Sequence, residues 1–586
     1  MSAVDFFRRS GVVLFLFLCG SPALAQTYTR FPVPTANAGL SQIAAGPDGG
    51  LWFTQTQANK IGRITTSGQI TEYPLAIGSY PLGITAGPDG AIWFTQVGSN
   101  KIGRISPQGV ITETAVPTAN SGLRDIAMGT NGTLWFTEES AGKVARLQVN
   151  GVSAGGDLLI EFSVGGRPSG ITAGPDGLIW FIDSAQNKIR RIGTDGTQLT
   201  DFNIGFNAYN FFEGSITVGP DGALWFTEVY SEAIGRITTG GQMSHFKIPA
   251  PAGNAVPYHI AVGPDGAMWF GPWQIGGKPG RISVADGSFT QFDPPTSDST
   301  LDAVALGADG ALWFLDRYSN EIVRMTVPAS SGPLFAATLP ASRSVQGPPL
   351  KTPTVTAFAT IVNAGPVAAN GCGIVPVTPV YSGFSFQTTN PSTNAVTGTP
   401  NTRVTIPANG AQSFVVAFTP VSEMAPRDVM FGFDCAGLDG APTVVGLNTL
   451  NLSFSIDPVP DMISVGVTPS GDGYARTGGA GGTGVFAVAT ANIGAAAALT
   501  ARVRLPAGVP VAATICKTNS STGACLAAPA PTVTVNVGAN ENGTWTAFLQ
   551  ATGSIPPDPA HARVFVEFVD AGGVVRGSTS TAVTTQ

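Results

Sequence analysis

One decapeptide constrains this chain more than any other feature: Gly219-Pro220-Asp221-Gly222-Ala223-Leu224-Trp225-Phe226-Thr227-Glu228, whose pattern occurs seven times. The copies begin at Gly46, Gly87, Gly129, Gly174, Gly219, Gly263 and Gly307, 41 to 45 residues apart. Self-similarity at that period is the signature of a propeller, one supersecondary unit per blade. Within a unit, the apolar run at residues 216–218 stops at Gly-Pro-Asp-Gly, where Pro presets φ and Gly accepts a positive φ. The β-branched and aromatic stretch Leu224-Trp225-Phe226-Thr227 follows. A third strand of the type Ala233-Ile234-Gly235-Arg236-Ile237 and a fourth, Gln242-Met243-Ser244-His245-Phe246, complete the unit. Four antiparallel strands make a blade, so seven copies predict seven blades. Seven of the nine tryptophans (Trp52, Trp93, Trp135, Trp180, Trp225, Trp269, Trp313) share one repeat position, which suits a large apolar ring wedged between neighbouring blades.

A propeller that opened on an innermost strand would leave its last blade one strand short. Val33-Pro34-Thr35-Ala36-Asn37-Ala38-Gly39 nearly repeats Val116-Pro117-Thr118-Ala119-Asn120-Ser121-Gly122. The strand from Thr27 to Val33 is therefore assigned to blade seven, closing the ring and hiding its edges. The repeat ends near Val327, and the Pro/Ser/Gly segment 328–333 reads as a linker. Beyond it, Ala359-Thr360-Ile361-Val362-Asn363-Ala364-Gly365 is echoed by Ala489-Thr490-Ala491-Asn492-Ile493-Gly494, and residues 429–437 by 564–572. These echoes predict two tandem immunoglobulin-like β-sandwiches, residues 334–459 and 460–586. The fold class is thus all-β: a seven-bladed propeller over residues 26–327, then two sandwiches.

Arg8 and Arg9, an apolar segment over residues 12–18 and Ala23-Leu24-Ala25 form a secretory signal over residues 1–25, cleaved after Ala25. That segment is far shorter than the ~20 residues of a membrane span, so the mature chain is expected to be secreted or periplasmic and not membrane-inserted. Cys372 and Cys435 fall in the first sandwich, Cys516 and Cys525 in the second. In an oxidising compartment this even count implies two disulfides, Cys372–Cys435 and Cys516–Cys525. Only 11% of residues are charged and the net charge is −7. Without a basic run, nucleic acid is not an expected partner.

Gly-Pro-Asp-Gly-x-(Leu/Ile)-Trp-Phe-Thr-(Glu/Gln), followed by Asn-Lys-Ile-Gly-Arg-Ile at residues 59–64 and 100–105, resembles the virginiamycin B lyase, or streptogramin lyase, family over residues 27–327. The resemblance implies a seven-bladed propeller and a carbon–oxygen lyase. Such an enzyme opens the cyclic depsipeptide of streptogramin B by elimination at the ester, using Mg²⁺ and a histidine general base. In that family one innermost strand opens with Pro-His, the next with Glu-Pro-His, and a second Glu follows the latter blade's Trp-Phe pair. Here the first motif aligns with Pro257-Tyr258, ahead of His259, and the second with Thr300-Leu301-Asp302. The second Glu aligns with Asp316 or Arg317. Mg²⁺ enters by resemblance alone.

Because the channel openings of all blades converge on one face, the catalytic candidates are Tyr258, His259, Asp302, Arg124 and Glu213. Asp302, Asp316 and Glu139 are the metal candidates, and Arg317 completes the charged set. Strand alternation turns His259 away from the channel if Tyr258 faces it. The aspartates of the repeated turns are read as turn formers, since one Asp per turn lacks the clustered oxygens of a Ca²⁺ site. Carboxylates after Trp-Phe (Glu138, Asp183, Glu228, Asp316) are read as hydrogen-bonding neighbours of blade loops. Gly151-Val152-Ser153-Ala154-Gly155 spells a nucleophile elbow without its strand-to-helix turn, and Gly479-Ala480-Gly481-Gly482-Thr483-Gly484 a dinucleotide fingerprint without a βαβ unit. With three histidines in the chain, histidine metal clusters and Ser-His-Asp arrangements lack material. Two functions follow: a lyase on a cyclic ester or lactone, or a non-catalytic protein recognising a glycan, peptide or partner protein. Both place a small-molecule or surface ligand at the channel face.

Overall fold

The computed structural model describes residues 26–586 apart from 130–131, 150–157, 205–213, 250–255, 328–332, 347–353, 379, 381, 392, 421–422, 506–508 and 559–561. The signal segment 1–25, Glu213, most of the 328–333 linker and the whole elbow-like pentapeptide lie outside the described residues. Within them the chain is all-β, with a single 3₁₀ turn at Val229–Ser231. No helix there is long and apolar enough to cross a membrane.

Seven four-stranded antiparallel sheets come first. Their strands are called A to D in order. Sheet one is Leu40–Ala45, Leu51–Gln55, Lys60–Ile64 and Ile70–Pro74. Sheets two to six open with strands A at Pro81–Ala86, Leu123–Met128, Pro168–Ala173, Ile216–Val218 and Pro257–Val262. Sheet seven has strand A at Leu301–Leu306, and its fourth strand is Thr27–Pro32, antiparallel to Glu321–Thr326 with Thr27 opposite Thr326. Each strand A touches the strands A of the sheets before and after it, and that of sheet seven returns to sheet one. The A strands therefore form a closed ring, as a β-propeller requires.

The repeated motif builds a three-part lock at each AB turn. In sheet five, Gly222 supplies the positive φ of 72°, and Asp221 Oδ1 accepts a 2.9 Å hydrogen bond from the indole N–H of Trp225. Asp221 Oδ2 accepts at 2.6 Å from Nε of Arg236 on strand C, while the guanidinium lies over the Trp225 ring. Sheets one, two, six and seven repeat the arrangement through Asp48, Asp89, Asp265 and Asp309. The aspartates thus do more than form turns: each holds a cation and an indole. In sheet three Thr133 replaces the aspartate as acceptor for Trp135. The indoles of sheets one, three, four and five also stack on an aromatic ring of strand D, Trp225 on Phe246 at 5.6 Å. In sheet seven Phe31 of the first described strand takes that place against Trp313. Trp52 packs among Ile84, Ile92 and Phe94 of the following sheet, so the rings close the seams between sheets. Each buried pair adds ~0.5–1.5 kcal/mol beyond its area.

Two sandwiches follow. The first sets Leu334–Leu339, Val355–Asn363, Gly410–Pro420 and Ser382–Thr389 against a five-stranded sheet containing Met424–Asp434 and Thr449–Ser455. The second repeats the same strand order, from Met462–Val467 to Val575–Thr584. Cys372–Cys435 and Cys516–Cys525 are disulfide-bonded. The first sandwich sits on the AB turns of the ring. Ala425 N–H donates to Pro88 O at 3.2 Å and Thr443 N–H to Pro264 O at 2.7 Å. Asp439 accepts from Arg281 and Ser283 at 2.7 Å each. Gly432 approaches Pro220 so closely that a Cβ there would lie 2.2 Å from the carbonyl oxygen. The buried Arg427 guanidinium donates to Gly87 O at 2.6 Å and touches Met128 Sδ at 3.0 Å, against the ends of strands A in sheets two and three. The two sandwiches are joined by buried Asp461, which pairs with Arg343 and accepts from Ser344 N–H.

Candidate functional site at the BC-loop face

The hydrogen bonds and ion pair from Ala425, Arg427, Asp439 and Thr443 of the first sandwich all fall on the AB-turn side of the ring; the opposite face is made by the BC loops and the starts of the A strands. Six of the A strands break register with strand B near their first residues, between Leu40 and Ile43, Pro81 and Ile84, Leu123 and Ile126, Pro168 and Ile171, Pro257 and His259, and Leu301 and Ala303. A bulge adds a residue and re-aims the side chains around it. In sheet six the extra residue is Tyr258, and it overturns the alternation expected there: His259 points toward the ring axis, not away from it. Its Nδ1 lies 3.2 Å from the carbonyl oxygen of Asp302. A carbonyl only accepts, so Nδ1 carries the proton and Nε2 accepts from the Gln42 amide at 3.4 Å. The same amide donates to Asp125 Oδ1 at 3.3 Å, and Gln42 Oε1 accepts from Ile84 N–H at 3.0 Å. Asp125 Oδ2 accepts from Ile171 N–H at 3.1 Å. Burial raises the Asp125 pKa, against the pull of these hydrogen bonds. The network touches six of the seven sheets and ties the inner strands across the axis.

Beside it, Tyr258 packs edge-on to His259 and 4.6 Å from Trp273. The Arg317 guanidinium lies over Trp273 at 4.7 Å and over Tyr258 at 5.8 Å. Arg317 Nε stands 2.8 Å from Asp302 Oδ2. Asp302 is 0% exposed, yet neither carboxylate oxygen has an aligned hydrogen-bond donor among the described residues. Desolvation pushes its pKa up to about 7, against the opposing charge of Arg317. Around the ring, Glu139 holds Arg167 at 2.8 Å and Arg124 at 3.6 Å.

The candidates therefore separate into groups. Tyr258, His259, Asp302 and Arg317 come together, while Arg124 and Glu139 sit with Arg167 on sheets three and four. The metal candidates do not meet. Asp302 faces Arg317, Glu139 is held by two arginines, and Asp316 Oδ1 accepts from Thr300 N–H at 2.9 Å and Ser319 N–H at 3.2 Å. Among the described residues no three His, Cys, Asp or Glu side chains are grouped to hold a metal ion. Hard divalent cations take several oxygen ligands at one point, so these donor sets do not fit Mg²⁺.

Sequence reasoning missed Gln42, Asp125, Arg167 and Trp273. Trp273 carried a usable signal: it is one of two tryptophans out of the repeat register, and it is 42% exposed while Trp545 and the seven repeat tryptophans are buried. The carboxylates after Trp-Phe have varied partners. Gln55 and Gln96 donate from that position to Glu72 and Glu113 at 3.1 and 3.0 Å. Asp183 pairs with Arg190 at 3.0 Å and Glu228 meets His245 Nδ1 at 2.5 Å. Glu138 replaces that glutamine opposite Glu161 and, when ionised, has no proton to donate. Burial first, and then the Glu161 charge, push its pKa up to about 7.

A ring of antiparallel sheets, one face resting on the first sandwich and the other bearing aromatic and charged side chains, defines a β-propeller protein. The profile of the virginiamycin B lyase family matches residues 20–212 and 207–346, more than half of the chain. The chain belongs to that family. Curated relatives include the virginiamycin B lyases of Bordetella pertussis and Bordetella parapertussis, each 43% identical over 47 residues. That stretch is 8% of this chain and 16% of each relative, so the chain spans about one sixth of the curated relatives it matches. Among solved structures, a streptogramin B lyase is 32% identical with a TM-score of 0.47, covering 51% of this chain and 97% of its own. A catalytically inactive virginiamycin B lyase from Staphylococcus aureus with quinupristin is 32% identical, with TM-score 0.47, covering 52% and 100%.

Proposed function

We propose that this protein is an exported recognition propeller: seven blades over residues 26–327, two immunoglobulin-like sandwiches over residues 334–459 and 460–586, and a BC-loop face that binds a ligand without turning it over. What carries the reading is how the face is furnished. Its centre presents Trp273 and Arg317 over Tyr258, while Glu139 and Asp316 are held by arginines and backbone amides. His259 is engaged on both ring nitrogens. A metal-assisted elimination needs a cation to polarise the ester and a free base to take the proton; among the described residues the metal candidates do not group around one point, and both ring nitrogens of His259 are engaged. Export is supported by the signal-like segment 1–25 and by the two disulfides.

One observation favours the second reading, a carbon–oxygen lyase on a cyclic ester or lactone. Asp302, beside the axis, is held up to about 7, where a carboxyl group can both give and take a proton. The two readings separate in one assay. Purified mature protein is incubated at high load with a streptogramin B substrate, with and without Mg²⁺, and ring opening is followed by mass spectrometry. The recognition reading expects an intact ring in both arms; opening in either overturns it.

A further inference from the structure

Among the described residues, the exposed aromatic side chains of the ring are Tyr80, Tyr230, Trp273 and Tyr318, and all stand on the BC-loop face. Three of them come from consecutive BC loops: Tyr230 of sheet five, Trp273 of sheet six and Tyr318 of sheet seven, exposed by 60%, 42% and 64%. The AB-turn face shows the fate of the other indoles, which are buried under arginines. Here rings of the same kind are left in water, one per sheet, along an arc. Between them lies Arg317, a third exposed, with donors directed by a carboxylate that packs against it from beneath. That carboxylate, Asp302, is itself fully buried with Arg317 Nε 2.8 Å away, so it holds the guanidinium in place beside the rings.

Flat apolar rings beside a fixed guanidinium match the surface of a sugar. The C–H face of a pyranose lies on an aromatic ring, and its hydroxyls accept from a guanidinium. A ligand that itself repeats is suited by aromatics that repeat from sheet to sheet. The charged groups of the face stand in pairs, Arg317 with Asp302 and Glu139 with its arginines, which selects against a strongly charged polymer. We infer that the arc Tyr230–Trp273–Tyr318, with Arg317 at its centre, is a binding track for a neutral oligosaccharide chain. This assignment rests on the reading that the BC-loop face binds without turnover, and it names the ligand class of that face.

Trp273 supplies its own probe, since the other eight tryptophans are buried and acrylamide quenching of the native protein reports mainly on this ring. Full-length protein is titrated with cellotetraose, maltotetraose and chitotetraose, and in parallel with quinupristin and a pool of random dodecapeptides. The expected result is a saturable emission change with one saccharide series and protection of Trp273 from acrylamide. Calorimetry is expected to show binding weakened about tenfold or more in Trp273→Ala and in the double variant Tyr230→Ala/Tyr318→Ala, whose altered side chains are exposed. No signal from any saccharide, or binding undiminished in both variants, overturns the track. Binding of the peptides or of intact quinupristin at Trp273, with no saccharide signal, overturns the sugar assignment and leaves the recognition reading standing. Opening of the quinupristin ring overturns the recognition reading itself.

Discussion

Asp265 and Asp302 stand on neighbouring sheets at opposite faces of the ring, and both are buried. Asp265, in an AB turn, accepts from the Trp269 indole at 2.8 Å and from Arg281, which the first sandwich grips through Asp439. Asp302, at the BC-loop face, has a close cation but no aligned donor, and its pKa rises to about 7. The tryptophans divide the same way: Trp269 is sealed, Trp273 is in water. Residue type is therefore a poor guide to role here. What separates the two is whether aligned donors satisfy the carboxylate.

The contrast can be broken at its strongest point first. Asp265→Ala should strip Trp269 and Arg281 of an acceptor in a buried setting and cost about 3 kcal/mol or more, read by denaturant unfolding. At the other face the sign reverses. The folded-state pKa of Asp302 lies above its unfolded value of 3.8, so the native carboxyl prefers its proton. Stability falls as pH rises from about 4 to 7, and the whole penalty is present above 7. Asp302→Asn should therefore stabilise the protein at pH 8, by up to about 4 kcal/mol, and leave it nearly unchanged at pH 3. A loss at pH 8 would erase the distinction between the two aspartates. Glu138→Gln should behave likewise and somewhat more weakly, by up to about 3 kcal/mol above pH 7, because the amide regains the donor that Gln55 and Gln96 use. Smallest of all, Trp273→Phe should change stability by under ~0.5 kcal/mol while removing the acrylamide-accessible part of the emission.

Much of the covered face could be read from the repeat. Trp225, Asp221 and Arg236 return at fixed spacing in most copies, and a contact made in every sheet leaves its pattern in every copy. The same reasoning placed Thr27 beside the last sheet, because its flanking Val-Pro-Thr-Ala-Asn segment copies one found after another sheet's strand C. The open face was less legible for a physical reason. Its geometry depends on bulges at the starts of the A strands, and a one-residue bulge inverts the period-two reading that sends Tyr258 one way and His259 the other. Gln42, two sheets away around the ring, meets His259 across the axis and passes the contact on to Asp125, three sheets away. No local pattern encodes such a contact. Glu138 was visible as a carboxylate where two earlier copies carry glutamine, but its shift depends on Glu161 lying opposite, which only the pairing of strands C and D supplies.

Amide hydrogen exchange on the full-length protein without ligand tests most directly the claim that one face is closed by the chain itself and the other is open. The amides of Ala425 and Thr443 in the first sandwich donate to Pro88 and Pro264 of the ring. The account predicts that both exchange slowly, together with the AB turns they rest on, while the BC-loop amides of Gln274, Ile275 and Tyr318, which donate no hydrogen bond among the described residues, exchange far faster. Rapid exchange at Ala425 and Thr443, with BC loops equally or better protected, would contradict it.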